Sequence, residues 1–438
     1  MNTEQGLLAG YAKIDITPDY QIGLGGYSNA ESRRNVMVEE PIYATCIALT
    51  DGDETILVYT IDNCACSQEM AVKFRTAAAE ATGISDEKIF LSATHSHNCP
   101  SWNDYPEAEQ YRQLVLDAIV EGAKKALEDR VPAQILAAKP EFPGMNFVRH
   151  YITENGTYAG SNFGTFKNNP AVGYVTEPDR QMVLVKFQRE EPKKSILMVN
   201  WQGHPDCSTE IGFHRIAPSY IGPLRDALSA ASGCLVAYYT GDDGNTNISS
   251  RVADDKHGLN WREYGVKMAQ LAYSAMQDMQ PVEGTGIKTA RSVVEVDIDH
   301  SWDDKLEQAN EVFDLWKSAG KAEGDALGAK YGFTSSYQAR AIRSRYNMEK
   351  TTTLELNAFR VGGVGFTTGT YEMFSDAGIF VKKNSPYDFT VLLTGNHSYI
   401  PSDDAYNYRC YEADTGFFAR GTAEKLANKY VEMLAQIQ

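Results

Sequence analysis

The chain has 438 residues, a length that suits two or three domain-sized units or one large α/β enzyme body. Its 41 Lys and Arg residues against 58 Asp and Glu residues give a formal net charge of −17. With no basic run, this argues against a nucleic-acid partner and an anionic membrane surface, while a neutral lipid substrate stays compatible. No stretch reaches the length of a membrane span and the start lacks a basic leader, so we expect a cytoplasmic location.

Seven scattered cysteines resemble no disulfide framework, which is typical of a reducing compartment. Cys64 and Cys66 form a Cys-x-Cys pair that could hold a metal, but without a second pair we favour two small buried residues. The glycine-rich stretch Gly23-Leu-Gly25-Gly26-Tyr27 could cradle a phosphate. It lacks a strand before it and a helix after it, so we interpret it as a plain loop.

Strands and helices intermix along the whole chain. The stretch before Pro18 alternates as an edge strand would. Further strands are predicted at Ile42–Leu49, Thr55–Ile61, Ile89–Ala93, Met182–Phe187, Ile196–Trp201, Leu235–Tyr239, Ser292–Ile298, Thr353–Phe366 and Phe389–Leu393. Helices are predicted at Ser67–Ala81, Glu107–Arg130, Trp261–Met279, Trp302–Ala319, 320–350 and Phe417–Ile437. This pattern predicts an α/β body with an α+β tendency, in which helices flank mixed sheets.

Residues 140–180 are rich in Gly and Pro, and a long irregular segment inside an enzyme is often a lid or a site wall. Arg149, His150 and Tyr151 lie in this segment. They are candidates to face a ligand, and an ordinary surface position is an equally good interpretation.

Polar side chains follow several predicted strands directly. His95 and His97 come after Ala93, and two residues apart on a strand they would point to the same side. His204 follows the strand that ends at Trp201, and the acids that begin with Asp242 follow another. His95 and His97 could both bind a metal, or one could bind it while the other meets substrate. Taken alone, they could also be loop histidines that only form hydrogen bonds.

Four motifs, in chain order, carry a resemblance to a known family. They are Ala93-Thr-His95-Ser-His97-Asn-Cys-Pro100, Gly203-His204-Pro205, Gly369-Thr-Tyr-Glu372 and the run from Tyr399 through Tyr406 to Tyr411-Glu412. They resemble Ala-Thr-His-Thr-His-Ser-Gly-Pro, His-Pro, Pro-Gly-Glu and Tyr-x-Thr-Thr-x-x-x-Tyr…Tyr-Glu of the neutral/alkaline non-lysosomal ceramidase family. The resemblance spans essentially the whole chain.

The resemblance implies one zinc ion that polarises an amide carbonyl and activates a water molecule. Its implied ligands are His95, His204, Glu372 and Tyr399. The resemblance also implies His97 at the substrate carbonyl or oxyanion, and Tyr411 behind the ligands. The proton shuttle would be His97 or an acid near Asp242, and Asp242 is a catalytic candidate. Arg149, from the segment rich in Gly and Pro, is a further catalytic candidate. The substrate would be a small-molecule or lipid amide.

Two departures from the family qualify this expectation. Gly244 falls where the family's Gly-Asp-Val-Ser-Pro-Asn loop carries a serine, which makes a serine-dependent step doubtful. The family's C-terminal immunoglobulin-like domain is not expected, so residues 1–438 would form a single ceramidase-like catalytic domain. We therefore expect a zinc amidohydrolase acting on ceramide or a related N-acyl compound. The alternatives are a hydrolase of the same fold for an ester or sugar-linked substrate, and a non-catalytic protein that retains the metal pocket.

Overall fold

The computed structural model describes residues 6–27, 32–102, 106–154, 156, 158–160, 171–248, 258–395 and 397–438. Within these ranges the strands are β1 (Leu8–Asp15), β2 (Met37–Val38), β3 (Tyr43–Asp51), β4 (Glu54–Ile61), β5 (Ile89–Ala93), β6 (Val131–Ala138), β7 (Phe147–Val148), β8 (His150–Thr153), β9 (Tyr158–Gly160), β10 (Ala171–Tyr174), β11 (Val183–Arg189), β12 (Ile196–Trp201), β13 (Arg215–Ile216), β14 (Leu235–Thr240), β15 (Thr246–Asn247), β16 (Gln280–Pro281), β17 (Ile287–Asp297), β18 (Thr351–Val361), β19 (Val364–Gly369), β20 (Glu372–Met373), β21 (Phe389–Thr394) and β22 (Tyr399–Ile400).

The α-helices are α1 (Gln68–Thr82), α2 (Pro106–Glu128), α3 (Ser208–Ile211), α4 (Ile221–Ser232), α5 (Trp261–Ala275), α6 (Leu306–Ala319), α7 (Lys321–Lys330), α8 (Ser336–Tyr346), α9 (Ser375–Asn384), α10 (Asp403–Tyr408), α11 (Tyr411–Thr415) and α12 (Thr422–Gln436). Local capping sets several of these ends. The Ser67 side chain accepts a hydrogen bond from Met70 N at the start of α1, and Gly83 ends that helix in the left-handed region, as the sequence predicts. No helix of the described part is long and apolar enough to cross a bilayer.

The larger sheet has the strand order β14-β12-β11-β6-β1-β3-β4-β5, with β16 beside β6. Most neighbours are antiparallel, but β12 pairs with β14, and β4 with β5, in parallel. The prediction of an edge position for the first strand is wrong. β1 lies inside the sheet, because β3 pairs along its whole length and β6 joins its other side at Leu8 and Ala9.

A second, four-stranded sheet has the order β17-β18-β19-β21. The stretch predicted as one strand from Thr353 to Phe366 is instead a hairpin, because Gly362 takes a positive φ of 55° and lets β18 turn into β19. A side chain at Gly362 would also collide with Gly284 O, 2.4 Å from an added Cβ. The turn therefore depends on glycine.

The two sheets pack face to face through a shared apolar core. Phe90 of the larger sheet stacks on Phe359 of the smaller one, with ring centroids 4.2 Å apart, and Phe359 stacks in turn on Phe366. Helices α1, α2, α4 and α5 cover the outer face of the larger sheet, and α9 and α12 cover that of the smaller sheet. This four-layer arrangement of mixed sheets flanked by helices confirms the predicted α/β class.

The carboxyl ends of the parallel strands meet at one edge of the molecule. The larger sheet curves until its two outer strands touch, where Thr240 Oγ1 at the end of β14 donates to Thr94 O after β5. Thr394 Oγ1 at the end of β21 lies 3.3 Å from Gly241 O. The loops that follow these strands therefore share one place, as the carboxyl ends of strands do in α/β enzymes.

Candidate metal centre

Three buried histidines from two strand ends converge on one point. The Nε2 atom of His95 lies 3.1 Å from Nε2 of His204 and 3.4 Å from Nε2 of His97, and the last two atoms are 3.1 Å apart. Two nitrogens bound to one tetrahedral zinc at about 2.0–2.1 Å would be separated by roughly 3.3–3.4 Å. The three imidazoles thus have the spacing of ligands that share one ion.

Hydrogen bonds alone cannot explain this arrangement. A ring nitrogen carries either one proton or one lone pair, so among three mutually close Nε2 atoms at least two are of the same kind and cannot bond to each other. Burial lowers the pKa of His97 to about 3, which leaves this ring neutral near pH 7. A cation at the common point would be contacted by three lone pairs at once.

Glu372 adjoins the same point, and Tyr399 lies beside Glu372 on the neighbouring short strand. Glu372 Oε2 is buried, lies 3.5 Å from His95 Nε2 and has no hydrogen-bond partner among the described residues. The ligand atoms of His95, His204 and Glu372 all lie within 4.8 Å of one another. Glu372 is paired with Tyr399 in the short parallel ladder of β20 and β22. Burial and the neighbouring Glu372 carboxylate raise the pKa of the Tyr399 phenol well above its ordinary value.

Backbone carbonyls hold two of the histidines in orientation. His95 Nδ1 is hydrogen-bonded to Cys64 O, and His204 Nδ1 lies 3.3 Å from Asp243 O. A proton on each Nδ1 leaves the Nε2 lone pair facing the common point, which is how metal-binding histidines are usually held. Just after β5, His95 adopts a left-handed backbone with φ of 64°. This backbone is uncommon for a residue with a side chain and often marks a functional site.

Cys64 and Cys66 do not act as a pair. Cys66 lies in the apolar core, which agrees with its interpretation as a small buried residue. Cys64 is half-buried and its Sγ lies 3.9 Å from His95 Nδ1. Its sulfur falls within 4.8 Å of ligand atoms of His95 and His97. The Cys-x-Cys spacing brings one thiol, not two, to the histidines.

The glycine-rich loop forms one wall of the centre. Gly26 has a φ of 92°, and a Cβ there would lie 2.5 Å from His97 Cγ. The Tyr27 ring meets the His97 ring edge-on at 5.3 Å, and its hydroxyl donates to Asp206. Phe213, which is exposed, packs against Tyr27 at 5.6 Å. The interpretation of this stretch as a plain loop agrees with the structure. Nothing in the local sequence predicts that the loop lies beside His97.

Arg149 and His150 are buried, so the interpretation of both as surface residues is wrong. Arg149 Nε donates to Glu412 Oε1 at 2.6 Å, and His150 Nε2 lies 2.8 Å from Glu412 Oε2. Burial opposes ionisation of Glu412, but Arg149 and His150 outweigh it and hold the pKa of Glu412 well below its ordinary value. We call Arg149, His150 and Glu412 the Glu412 cluster. Arg149 Nη2 also donates to Gly244 O at 2.7 Å.

The Glu412 cluster reaches the metal centre through Tyr399. The Arg149 guanidinium carbon lies 5.6 Å from the centroid of the Tyr399 ring. Tyr411 meets Tyr399 edge-on at 6.1 Å from the other direction, and Tyr337 of α8 packs on Tyr411 at 5.9 Å. The structure thus places the predicted Arg149 and Tyr411 around Tyr399. The contribution of Tyr337 was missed, since nothing in the surface-like pattern of 320–350 points to it.

Comparisons with known proteins bear on the fold. No protein-family model matches the sequence, and no curated protein matches it. The crystal structure of neutral ceramidase from Pseudomonas aeruginosa matches with a TM-score of 0.74 at 18% sequence identity, covering 98% of this chain and 74% of that chain. A structure of a ceramidase complexed with C2 matches with a TM-score of 0.70 at 17% identity, covering 98% of this chain and 75% of that one. The chain has a neutral ceramidase-like fold.

Within this ceramidase-like fold, the loop after β14 separates two adjacent acids. Asp242 packs against Gly378 of α9, and its carboxylate has Asp179 and Lys382 as charged neighbours. Asp243 lies on the histidine side, with Oδ2 3.6 Å from His204 Nδ1. Burial raises the pKa of Asp243 to about 7. Of the two acids, the structure brings Asp243, and not the predicted Asp242, next to the proposed ligands.

Gly244 occupies a position with no room for a side chain. A Cβ there would lie 2.8 Å from Glu372 O and 2.9 Å from Met373 O, and Gly244 N donates to Met373 O. The loop after β14 is therefore pressed against the strand that carries Glu372. In this chain, the loop that resembles the family's serine loop is built around glycine.

Proposed function

We propose that this chain is a zinc-dependent hydrolase of linear amides, with ceramide or a related N-acyl compound as its substrate class. The observation that carries this proposal is the convergence of three histidine Nε2 atoms beside Glu372 Oε2, which has no hydrogen-bond partner among the described residues. The motif resemblance and the ceramidase-like fold point to the same reaction class.

His95, His204, Glu372 and Tyr399 would hold the ion. Imidazole nitrogens with carboxylate and phenol oxygens suit zinc, and three or four protein ligands plus a water molecule are typical of a catalytic zinc site. When bound, zinc would polarise the substrate carbonyl and lower the pKa of water in its coordination shell. Residues 1–438 would act as one catalytic domain, because these ligands come from strand ends of both sheets.

His97 would face the reacting carbonyl. Its Nδ1 has no hydrogen-bond partner among the described residues and lies 3.8 Å from Asp206 Oδ1, on the side where Tyr27 lines the site. A neutral imidazole there can donate one hydrogen bond to an oxygen that gains negative charge, which is the usual way to stabilise such an intermediate. The Nε2 spacing would also let His97 contact the ion. Replacing His97 would weaken zinc binding if it is a ligand, and would leave zinc binding intact if it only faces the substrate carbonyl.

Arg149 and Tyr411 would position Tyr399. Glu412 holds the Arg149 guanidinium in place, and the positive charge of Arg149 opposes the rise in the pKa of the Tyr399 phenol that burial and Glu372 cause. Tyr411 packs against the other side of the Tyr399 ring. This arrangement fixes the phenol beside Glu372 without a serine at position 244. We therefore propose hydrolysis that needs no serine nucleophile.

The test is metal content together with turnover. We expect purified protein to bind one zinc per chain and to cleave labelled N-acyl amines, with loss of both in His204→Ala. His214→Ala removes a surface histidine and serves as the matched control. A wild-type chain without zinc would contradict the metal site. A zinc-loaded chain that cleaves esters or sugar-linked lipids but no amide would contradict the substrate class, and one that turns over nothing would be a binding protein.

A further inference from the structure

We infer that Asp243 is a positioning residue of this metal centre, which holds His204 through its backbone oxygen and places a carboxylate beside the same ring nitrogen. The inference rests on the proposed zinc site. Asp243 is completely buried, and neither carboxylate oxygen has a hydrogen-bond partner among the described residues. Its nearest basic group is His204 Nδ1, 3.6 Å from Oδ2 and 3.3 Å from the backbone oxygen of the same residue.

A buried carboxylate without partners is costly, so it is either protonated or compensated by a nearby positive charge. Arg149 cannot fill this role by direct contact, because its guanidinium is engaged by Glu412 and Gly244 O. A divalent ion on the Nε2 side of His204 would supply the charge through the ring. It would also make the Nδ1 proton a stronger donor towards Asp243. Carboxylate–histidine–metal arrangements of this kind commonly tune metal affinity.

The loop after β14 holds Asp243 in this position. Asp243 N donates to Gly241 O at 3.0 Å, and Thr246 N donates to Asp243 O at 3.1 Å. Gly244 N donates to Met373 O and ties the loop to the Glu372 strand. The carboxylate is therefore fixed relative to both His204 and Glu372.

Asp242 provides a matched control within the same loop. It is also buried and its two carboxylate oxygens also lack a hydrogen-bond partner among the described residues. Its carboxylate, however, faces Gly378 and the Asp179–Lys382 pair rather than the histidines. Replacing its carboxyl group should change stability without changing how His204 is held.

The experiment measures zinc affinity of the full-length chain by competition with a chromophoric chelator. We expect Asp243→Asn to bind zinc about 10–100-fold more weakly than the wild type, the range found for groups that orient metal-binding histidines. Asp242→Asn should stay within about threefold, since it removes an acid that the histidines do not contact. The visible spectrum of the Co²⁺-loaded protein should change in the Asp243 variant alone. If Asp243→Asn unfolds, Asp243→Ser is measured in its place.

Two results would overturn the inference while the proposed function stands. In one, Asp243→Asn binds zinc as tightly as the wild type and shows the same Co²⁺ spectrum. In the other, both Asn variants weaken zinc binding equally, so that the effect belongs to any buried acid of the loop. A wild-type chain that binds no zinc would instead overturn the proposed function and this inference with it.

Discussion

Two buried clusters in the described part of the chain contain side chains that can bind metals, and they differ in how fully those side chains are paired. In the Glu412 cluster, Arg149 and His150 occupy both carboxylate oxygens at 2.6 and 2.8 Å. In the candidate metal centre, Glu372 Oε2 has no such partner in the described part of the chain, and three Nε2 atoms face one another. Ligand-type residues occur in both places.

The comparison teaches that residue types alone do not define a metal site. His150, Cys410 and Glu412 also lie within 4.8 Å of one another. Their carboxylate, however, is already neutralised by a guanidinium that is itself fully buried. An ion would have to displace Arg149, whereas in the histidine centre it would complete contacts that protein groups cannot make. The following predictions test this contrast, from the largest expected effect to the smallest.

Glu412→Ala should be the most destabilising of these changes. It leaves the Arg149 charge buried and unpaired, which typically costs about 3–5 kcal/mol. The free energy of unfolding in urea measures the loss. Glu432→Ala removes an exposed acid that contacts Lys429 and Gln436 at the surface, and it should stay within about 0.5 kcal/mol of the wild type. The folded fraction of Glu412→Ala should still bind zinc, and loss of stoichiometric zinc there would mean that the two clusters are not separable.

Lowering the pH should reduce the contribution of the Glu412 cluster to the stability of the folded chain. The pKa of Glu412 is lower in the folded chain than its ordinary value of about 4.3, so its contribution to stability is present above that pH and is lost as the pH falls below it. Measured by urea unfolding, the stability difference between wild type and Glu412→Gln should narrow from neutral pH towards pH values under about 4. A difference that stays constant across this range would show that Glu412 is not held ionised by Arg149 and His150.

Gly244→Ser should destabilise the chain by about 1–3 kcal/mol, the usual cost of forcing extra atoms into a packed site. The added Cβ would press on Glu372 O and Met373 O. We therefore expect no gain in amide turnover, although serine matches the family motif. Gly173→Ser, at a position with nothing within 4 Å, is the control and should be neutral. Turnover that appears only in Gly244→Ser would overturn the serine-independent mechanism.

Tyr27→Phe should have the smallest effect on stability. It removes the hydroxyl that donates to Asp206, which is worth about 0.5–1.5 kcal/mol, and it keeps the ring against His97. Zinc content should not change, because the ring contact of Tyr27 is with His97 and not with one of the four proposed ligands. Tyr273→Phe at the surface is the matched control. Weaker zinc binding in Tyr27→Phe would place the glycine-rich loop within the metal centre and not at its wall.

Local sequence predicted much of the secondary structure and the fold class. The strand Ile89–Ala93 has the predicted bounds, and α1 begins after Ser67 and ends before Gly83, because short apolar runs and capping residues act over a few positions. The prediction of a single strand from Thr353 to Phe366 was wrong because it also relied on local alternation. Its alternation continues through Gly362, and only pairing between β18 and β19 shows that the chain reverses there.

By itself, the sequence determined which polar residues follow buried strands, and a family resemblance extended this to an ordered set of candidate ligands. Only the tertiary structure decided that His95, His97 and His204 converge, that Arg149 is buried against Glu412, and that Asp243 rather than Asp242 lies beside His204. These outcomes depend on how two sheets curve and pack, which joins His204 to Asp243, 39 positions away, and Arg149 to Glu412, 263 positions away. Contacts of that range leave no periodic trace in the local sequence, because they arise from packing between elements and not within them.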